Sequence, residues 1–166
     1  MEREISSGGL VVRRGTDGWE LAVIEPQKEP SASIRKGKRW QKMLLALPKG
    51  LMDEGEEPQQ TAVREVAEET GLTAVPVAKL GDTKYVYVRS WGDQQRVFKI
   101  VSFYLLRYES GVIDKIADEM RIEVKRALWI PLKEAERRLA YKGEQDMVRR
   151  AQEYLQTHPE PWAPSG

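Results

Sequence analysis

Between Pro58 and Gly71 the chain reads PQQTAVREVAEET, and this stretch constrains the fold more tightly than any other. Proline fits the first helical turn, where its missing N–H is not needed. Glycine just past the last turn supplies a left-handed cap. The spacing therefore predicts a helix over 58–70. Glu65, Glu68 and Glu69 stand at i, i+3 and i+4 and share one helix face. Val63, Val66 and Ala67 are expected on the opposing apolar side. Three carboxylates so close repel one another, and at least one is hard to ionise without a counter-charge. A hard cation such as Mg²⁺ or Mn²⁺ resolves that conflict, because it takes oxygen ligands. Arg64 is adjacent and can orient one carboxylate through charge-assisted hydrogen bonds. Glu56, in the loop 50–57, can reach the same cluster.

Taken alone, REVAEE reads as a solvated helix face with i, i+4 pairs. The wider segment 50–72 overturns that reading. It sets Gly50, Glu56, Arg64, Glu65, Val66, Glu68, Glu69, Gly71 and Leu72 in the pattern G-x5-E-x7-R-E-(apolar)-x-E-E-x-G-(apolar). Average residue usage gives a chance match with odds on the order of 10⁻⁷.

Composition narrows the chemistry further. The 166 residues suggest a single domain, with a core over about 5–156 and a loose Pro-rich tail over 157–166. There are no cysteines, so disulfides, thiol catalysis and zinc–thiolate sites are excluded. The single histidine, His158, lies in the tail, which argues against a Ser-His or Cys-His pair. With 27 basic and 26 acidic residues, the chain has no global pull toward nucleic acid or membranes. No apolar run is long enough to span a bilayer, and the N-terminus lacks the apolar stretch of a signal peptide. The expectation is a soluble cytoplasmic protein whose chemistry rests on carboxylates and a metal.

Periodicity outlines the remaining elements. Segments 8–14 and 19–25 read as strands joined at Thr16-Asp17-Gly18. Residues 26–42 form a long basic loop with Lys28, Arg35, Lys36, Lys38, Arg39 and Lys42. A short strand is expected over 44–47, ended by Pro48. A strand within 75–89 is clearest at 85–88; a turn at Trp91-Gly92-Asp93 leads to another over 96–108. Residues 122–130 suggest one more. A short helix is expected over 132–140, a break at Gly143, and a final helix over about 144–156. Strands with interspersed helices make a mixed α/β domain.

The segment 50–72 resembles the signature box of the Nudix hydrolases at every defining position, and the order of elements resembles the Nudix fold, a mixed sheet sandwiched between helices (α+β). The resemblance implies hydrolysis of a pyrophosphate bond in a nucleoside diphosphate linked to another group. Glu65, Glu68 and Glu69 would be metal ligands, Glu56 would support them, and a backbone carbonyl near Lys49–Gly50 would add a further ligand. Arg64 would orient Glu65. Pro48-Lys49-Gly50 is similar to the entry of the box in dinucleoside-polyphosphate hydrolases, although a tryptophan often found three residues before that proline is Leu45 here; Trp40 lies in the loop. Some members place a glutamate six residues before a tryptophan, and Glu123 stands six before Trp129. Glu123 is thus the candidate general base or additional ligand, with Asp118 and Glu119 behind it.

The box leaves the substrate open. ADP-ribose hydrolases carry a proline about sixteen residues beyond it, and Tyr85-Val86-Tyr87-Val88-Arg89 occupies that zone instead. Tyr85 and Tyr87 resemble base-stacking tyrosines of dinucleoside-polyphosphate hydrolases; plain sheet packing is the other reading. Lys36, Lys38 and Arg39 could hold a long polyphosphate beside Lys49, or belong to a solvated loop. The phrase LKEAERRLAYKGEQDMVRRA resembles bacterial relatives and is expected to pack as helix rather than touch substrate. The favoured substrate is a dinucleoside polyphosphate such as diadenosine tetraphosphate. Nucleoside triphosphates, diphosphoinositol polyphosphates and the 5′ end of RNA follow, with a non-catalytic nucleotide sensor last. Other nucleic acid is not expected as a partner, and a homodimer is compatible with the sequence.

Overall fold

The computed structural model describes residues 2–27, 44–88 and 94–159. Among these, the order is β1 (Glu2–Gly15), β2 (Gly18–Pro26), β3 (Lys49–Leu51), α1 (Pro58–Thr70), β4 (Leu72–Val88) and β5 (Arg96–Gly111). A 3₁₀ turn (Asp118–Ile122), β6 (Val124–Pro131), α2 (Leu132–Arg138) and α3 (Lys142–Thr157) follow. The strands form one sheet in the order β4-β5-β1-β2-β6, with β3 added against β1. β1 runs parallel to β5 while its pairings with β2 and β3 are antiparallel, so the sheet is mixed.

The alternation of β1 decides the layering. Leu10 and Val12 point to one face, where they meet Val101, Phe103 and Leu105 of β5 and the apolar sides of α2 and α3. Val11 points to the other, where it packs with Leu106 and with Val66 of α1. The sheet is therefore sandwiched between α1 on one side and α2–α3 on the other. No helix among the described residues is long and apolar enough to cross a membrane.

Several boundaries differ from the sequence expectation, each for a local reason. Residues 44–47 make only isolated bridges, Ala46 to Ile24 and Leu45 to Leu139. Pro48 cannot continue a ladder because it has no N–H. The strand forms one step later, inside the box, where Lys49–Leu51 pair with Ser6–Gly8. Leu45 is itself a core residue, and its carbonyl accepts from Ala140 N at 3.0 Å, which ends α2 early. β6 begins at Val124, so Ile122 and Glu123 are not strand residues. Gly143 does not break the chain but lies in the first turn of α3, where a Cβ would approach Thr83 Cγ2 to 2.7 Å. On α1, Ala67 is exposed, and the buried set is Thr61, Ala62, Glu65, Val66, Glu69 and Thr70. The turn 91–93 and the tail from 160 lie outside the described residues.

Gly71 closes α1 with φ +84°, and its N–H donates to Ala67 O at 3.0 Å. A Cβ there would sit 2.6 Å from Lys115 O and 2.8 Å from Val112 O. Gly71→Ala is expected to cost about 1–3 kcal/mol, from left-handed backbone strain and the clash together. Urea unfolding checks this; a loss below about 0.5 kcal/mol would contradict it.

Candidate active site

The packed side of α1 carries two acids among its apolar residues. Glu65 and Glu69 are 8% and 7% exposed, buried but less deeply than Ala62 and Val66 beside them. Glu65 fits only because Gly50 stands opposite: a Cβ at residue 50 would lie 2.0 Å from Glu65 Oε1. Burial, then repulsion from Glu68, raises the Glu65 carboxyl to about 7. Burial, then repulsion from Glu65, raises Glu69 to about 8. Lys49 N donates to Glu69 Oε1 at 3.2 Å. Glu65 Oε2 is buried without a hydrogen-bond partner.

Arg64 gathers Glu68 and Glu56. Arg64 Nε donates to Glu56 Oε2 at 2.6 Å and Nη2 to Glu56 Oε1 at 3.0 Å. Nη1 reaches both Glu68 oxygens at 3.2 Å, and Nη2 also donates to Leu51 O at 3.0 Å. The contact to Glu65 is a looser 3.7 Å ion pair. Arg64 thus braces the loop 50–57 and holds Glu56 and Glu68, whereas the sequence suggested that it orients Glu65. Glu56 also accepts from Thr61 Oγ1 at 2.7 Å and Asp53 N at 2.9 Å. The Arg64 bonds, with these two, hold its carboxyl down at about 2.

Above the acids lies an open cavity of about 570 Å³, lined by Lys49, Gly50, Asp53, Arg64, Glu65, Glu69, Lys99, Glu123 and Tyr141 among others. Glu123 follows the 3₁₀ turn, where its N–H donates to Met120 O at 2.9 Å and its carbonyl accepts from Gln27 N at 2.8 Å. Its charge raises both Glu65 and Glu69. Trp129, six residues on, packs edge-on against Tyr108 and under Arg13 instead. Asp118 and Glu119 do not line the cavity.

Lys49 and Tyr141 also line a second cavity of about 360 Å³, with Thr83, Tyr85, Val101, Phe103, Gly143 and Glu144. Lys49 Nζ sits 2.8 Å from Glu144 Oε2, and Leu47 N donates to Glu144 Oε1 at 2.8 Å. Burial opposes the charge on Lys49, but Glu144 more than offsets it and leaves the pKa raised. Of the two predicted tyrosines, Tyr85 lines this cavity, while Tyr87 donates its hydroxyl to Glu4 at 2.8 Å. Tyr87 is anchored to Glu4 and lines neither of the two cavities. Lys36, Lys38, Arg39 and Trp40 lie outside the described residues.

Sequence reasoning missed Tyr141, Glu144 and Lys99. The phrase expected to pack only as helix supplies two of them. A readable signal existed for the charged pair. Glu144 occupies the buried stripe of α3 with Met147, Val148, Ala151 and Leu155. Lys99 stands on the inward phase of β5, two residues before Val101. A charge in an apolar phase asks for a partner or a ligand.

Among the described residues, no three acidic or histidine side chains converge as a closed cation site. Two observations nevertheless fit a divalent cation. Glu65 Oε2 is a buried acceptor with no donor, and Glu65 and Glu69 are held close together at a cost in ionisation that a cation removes. The all-oxygen donor set suits Mg²⁺ or Mn²⁺.

A family model for the NUDIX domain matches residues 9–151. The MutT4 protein of Mycobacterium tuberculosis is 39% identical over 152 residues, covering 92% of this chain and 56% of that protein. The chain thus spans about half the length of that curated relative. Among solved structures, an Ap4A hydrolase of C. elegans superposes with a TM-score of 0.62 at 16% identity, covering 93% of this chain and 99% of that one. The NUDIX domain of NrtR from Shewanella oneidensis, complexed with ADP-ribose, gives a TM-score of 0.63 at 18% identity, covering 93% and 90%.

The raised carboxyls make stability depend on pH. Burial raises Glu65 to about 7 and Glu69 to about 8 in the folded chain, above the ordinary 4.5 of a glutamate. Through that window the folded state holds more protons than the unfolded one, so stability falls as pH rises. In chelator, Tm is expected to drop between about pH 5 and pH 9, and Glu69→Gln should flatten that slope. A wild-type Tm that is flat or rising over this range would contradict the burial of the pair.

Proposed function

The chain belongs to the Nudix family, and from that premise we propose that it is a divalent-metal-dependent pyrophosphohydrolase whose substrate is a dinucleoside polyphosphate such as diadenosine tetraphosphate. The observation that carries the reaction class is the pair Glu65 and Glu69, buried against Gly50 at the floor of an open cavity. These carboxylates, with Glu68 and the carbonyl of Gly50, would hold the cation. When bound, the cation neutralises phosphate charge and acidifies water.

The chain's own residues do the rest. Arg64 keeps Glu56 and Glu68 beside the helix and fixes the loop 50–57 through Leu51 O. Glu123, across the cavity from α1, takes the proton of the attacking water. A P–O bond forms to that water as the P–O–P bridge breaks, and the departing phosphate carries away the bridging oxygen. Lys49, locked by Glu144, keeps one positive charge at the mouth shared by the two cavities.

The substrate choice rests on that second cavity. Tyr85, Phe103 and Tyr141 make it aromatic, and it opens beside Lys49, which suits a nucleobase whose phosphates reach toward Glu65 and Glu69. The structurally similar C. elegans protein is an Ap4A hydrolase. At 16% identity that likeness speaks for the fold, and the cavity lining supports the ligand.

Glu65→Gln and Glu69→Gln are each expected to lower turnover by about 10²-fold or more, since each removes a ligand charge without changing shape. Near-wild-type rates for both would sink the site. Tyr85→Ala should raise KM by about 10-fold, the loss of one stacking partner, whereas Tyr87→Ala should act mainly on stability through the lost Glu4 bond. A product-resolved screen of dinucleoside tri-, tetra- and hexaphosphates, nucleoside triphosphates, ADP-ribose, diphosphoinositol polyphosphates and 5′-triphosphate RNA tests the substrate. A clear preference for diphosphoinositol polyphosphates, or for ADP-ribose, would remove the dinucleoside reading and leave the metal site standing.

A further inference from the structure

The cavity over α1 has two poles. Glu65, Glu69 and Glu123 make one end acidic, and Lys49 and Lys99 bring cations to the same space. The two lysines differ in their partners. Lys49 is already paired with Glu144 at 2.8 Å. Lys99 is half-buried between Tyr85 of β4 and Glu4 of β1, its neighbours across the sheet. Glu4 accepts from the Tyr87 hydroxyl, and its charge favours the Lys99 ammonium. The charges acting on Lys99 are those of Glu4 and Lys49, not those of Glu65 or Glu69. Burial disfavours the Lys99 ammonium, Glu4 offsets part of that and Lys49 adds to it, so an anion entering the cavity would stabilise the charge.

We propose that Lys99 is a phosphate-binding residue that takes a phosphate of the chain other than the one attacked, so that the cavity favours substrates with three or more bridging phosphates over those with two. This rests on the pyrophosphohydrolase reading. A substrate with two phosphates is satisfied at the cation held by α1. A longer chain extends past that point, and its next phosphate meets Lys99, which lines the same cavity. The aromatic cavity beside Tyr85 then receives the base at the end of the chain. Lys99 adds a charge-assisted hydrogen bond that the shorter substrate never makes.

The test compares wild type with Lys99→Gln and Lys99→Arg on diadenosine tetraphosphate and on ADP-ribose. Lys99→Gln should raise KM for the tetraphosphate by about 10-fold with kcat unchanged, and change kcat/KM for ADP-ribose by less than about 2-fold. Lys99→Arg should keep most of the wild-type KM. An equal loss on both substrates, or no loss on either, overturns the assignment. Calorimetric binding of inorganic tripolyphosphate and of pyrophosphate, each with Mg²⁺, gives a readout without turnover. Selective weakening of tripolyphosphate in Lys99→Gln supports the subsite, and equal affinities overturn it. If wild type hydrolyses none of the nucleotides, the pyrophosphohydrolase reading falls, while the calorimetric comparison still decides Lys99.

Discussion

Glu65 and Glu69 sit on the packed side of α1, and the features around them follow from that placement. A carboxylate on this side needs room, which Gly50 provides by lacking a Cβ where Glu65 lies. Gly50 in turn needs its backbone held at that distance, and pairing of β3 with Ser6–Gly8 of β1 does so. Burial raises the pKa of both acids, with repulsion from Glu68 adding to it at Glu65 and repulsion from Glu65 adding to it at Glu69. The site therefore stores unfavourable electrostatics at the point where a cation would relieve it. Such local conflict within an otherwise consistent fold is what functional sites show.

Arg64 divides the four box acids into two groups. Glu56 and Glu68 gather on the guanidinium, while Glu65 and Glu69 remain in the cavity. A planar fork with several donors can serve two carboxylates and the Leu51 carbonyl at once, which a lysine could not do. The opposite wall depends on a second buried charge. Glu144 joins the first turn of α3 to Leu47 N and to Lys49, so the helix layer on one face of the sheet positions the entry of the box. Removal of a single partner there would leave a buried charge unpaired, a change typically worth about 3–5 kcal/mol.

Much of the fold was legible because its signals are local. Pro58 and Gly71 bound α1 as their backbone preferences require. The hairpin of β1 and β2 closes at Gly15 and Gly18 around the anticipated turn. The long strands β4 and β5 follow from runs of β-branched and aromatic residues. What failed did so where long-range partners decide. Leu45 and Ala46 look like a strand, yet each finds only one bridge, because Pro48 interrupts the ladder and the core claims the side chains. Ala67 looks like core by composition, but the sheet lies on the side of Ala62 and Val66. Arg64, adjacent to Glu65 in the chain and ion-paired with it at 3.7 Å, also reaches Glu56 and Glu68, which adjacency alone does not show.

The sequence by itself determined the family and the mixed α/β architecture and singled out the candidate acids, because those rest on spacing within 23 residues and on helix and strand periods. It could not say which acids turn inward, since a helix face has no buried side until a sheet covers it. It could not distinguish Tyr85 from Tyr87, two residues apart on one strand face, because the difference is a Glu4 brought from the far end of the chain. Lys99, Tyr141 and Glu144 joined the site only through the tertiary structure. Each is distant in sequence from the box, and only the pairing of β4 with β5 and the packing of α3 on the sheet bring them to its cavities.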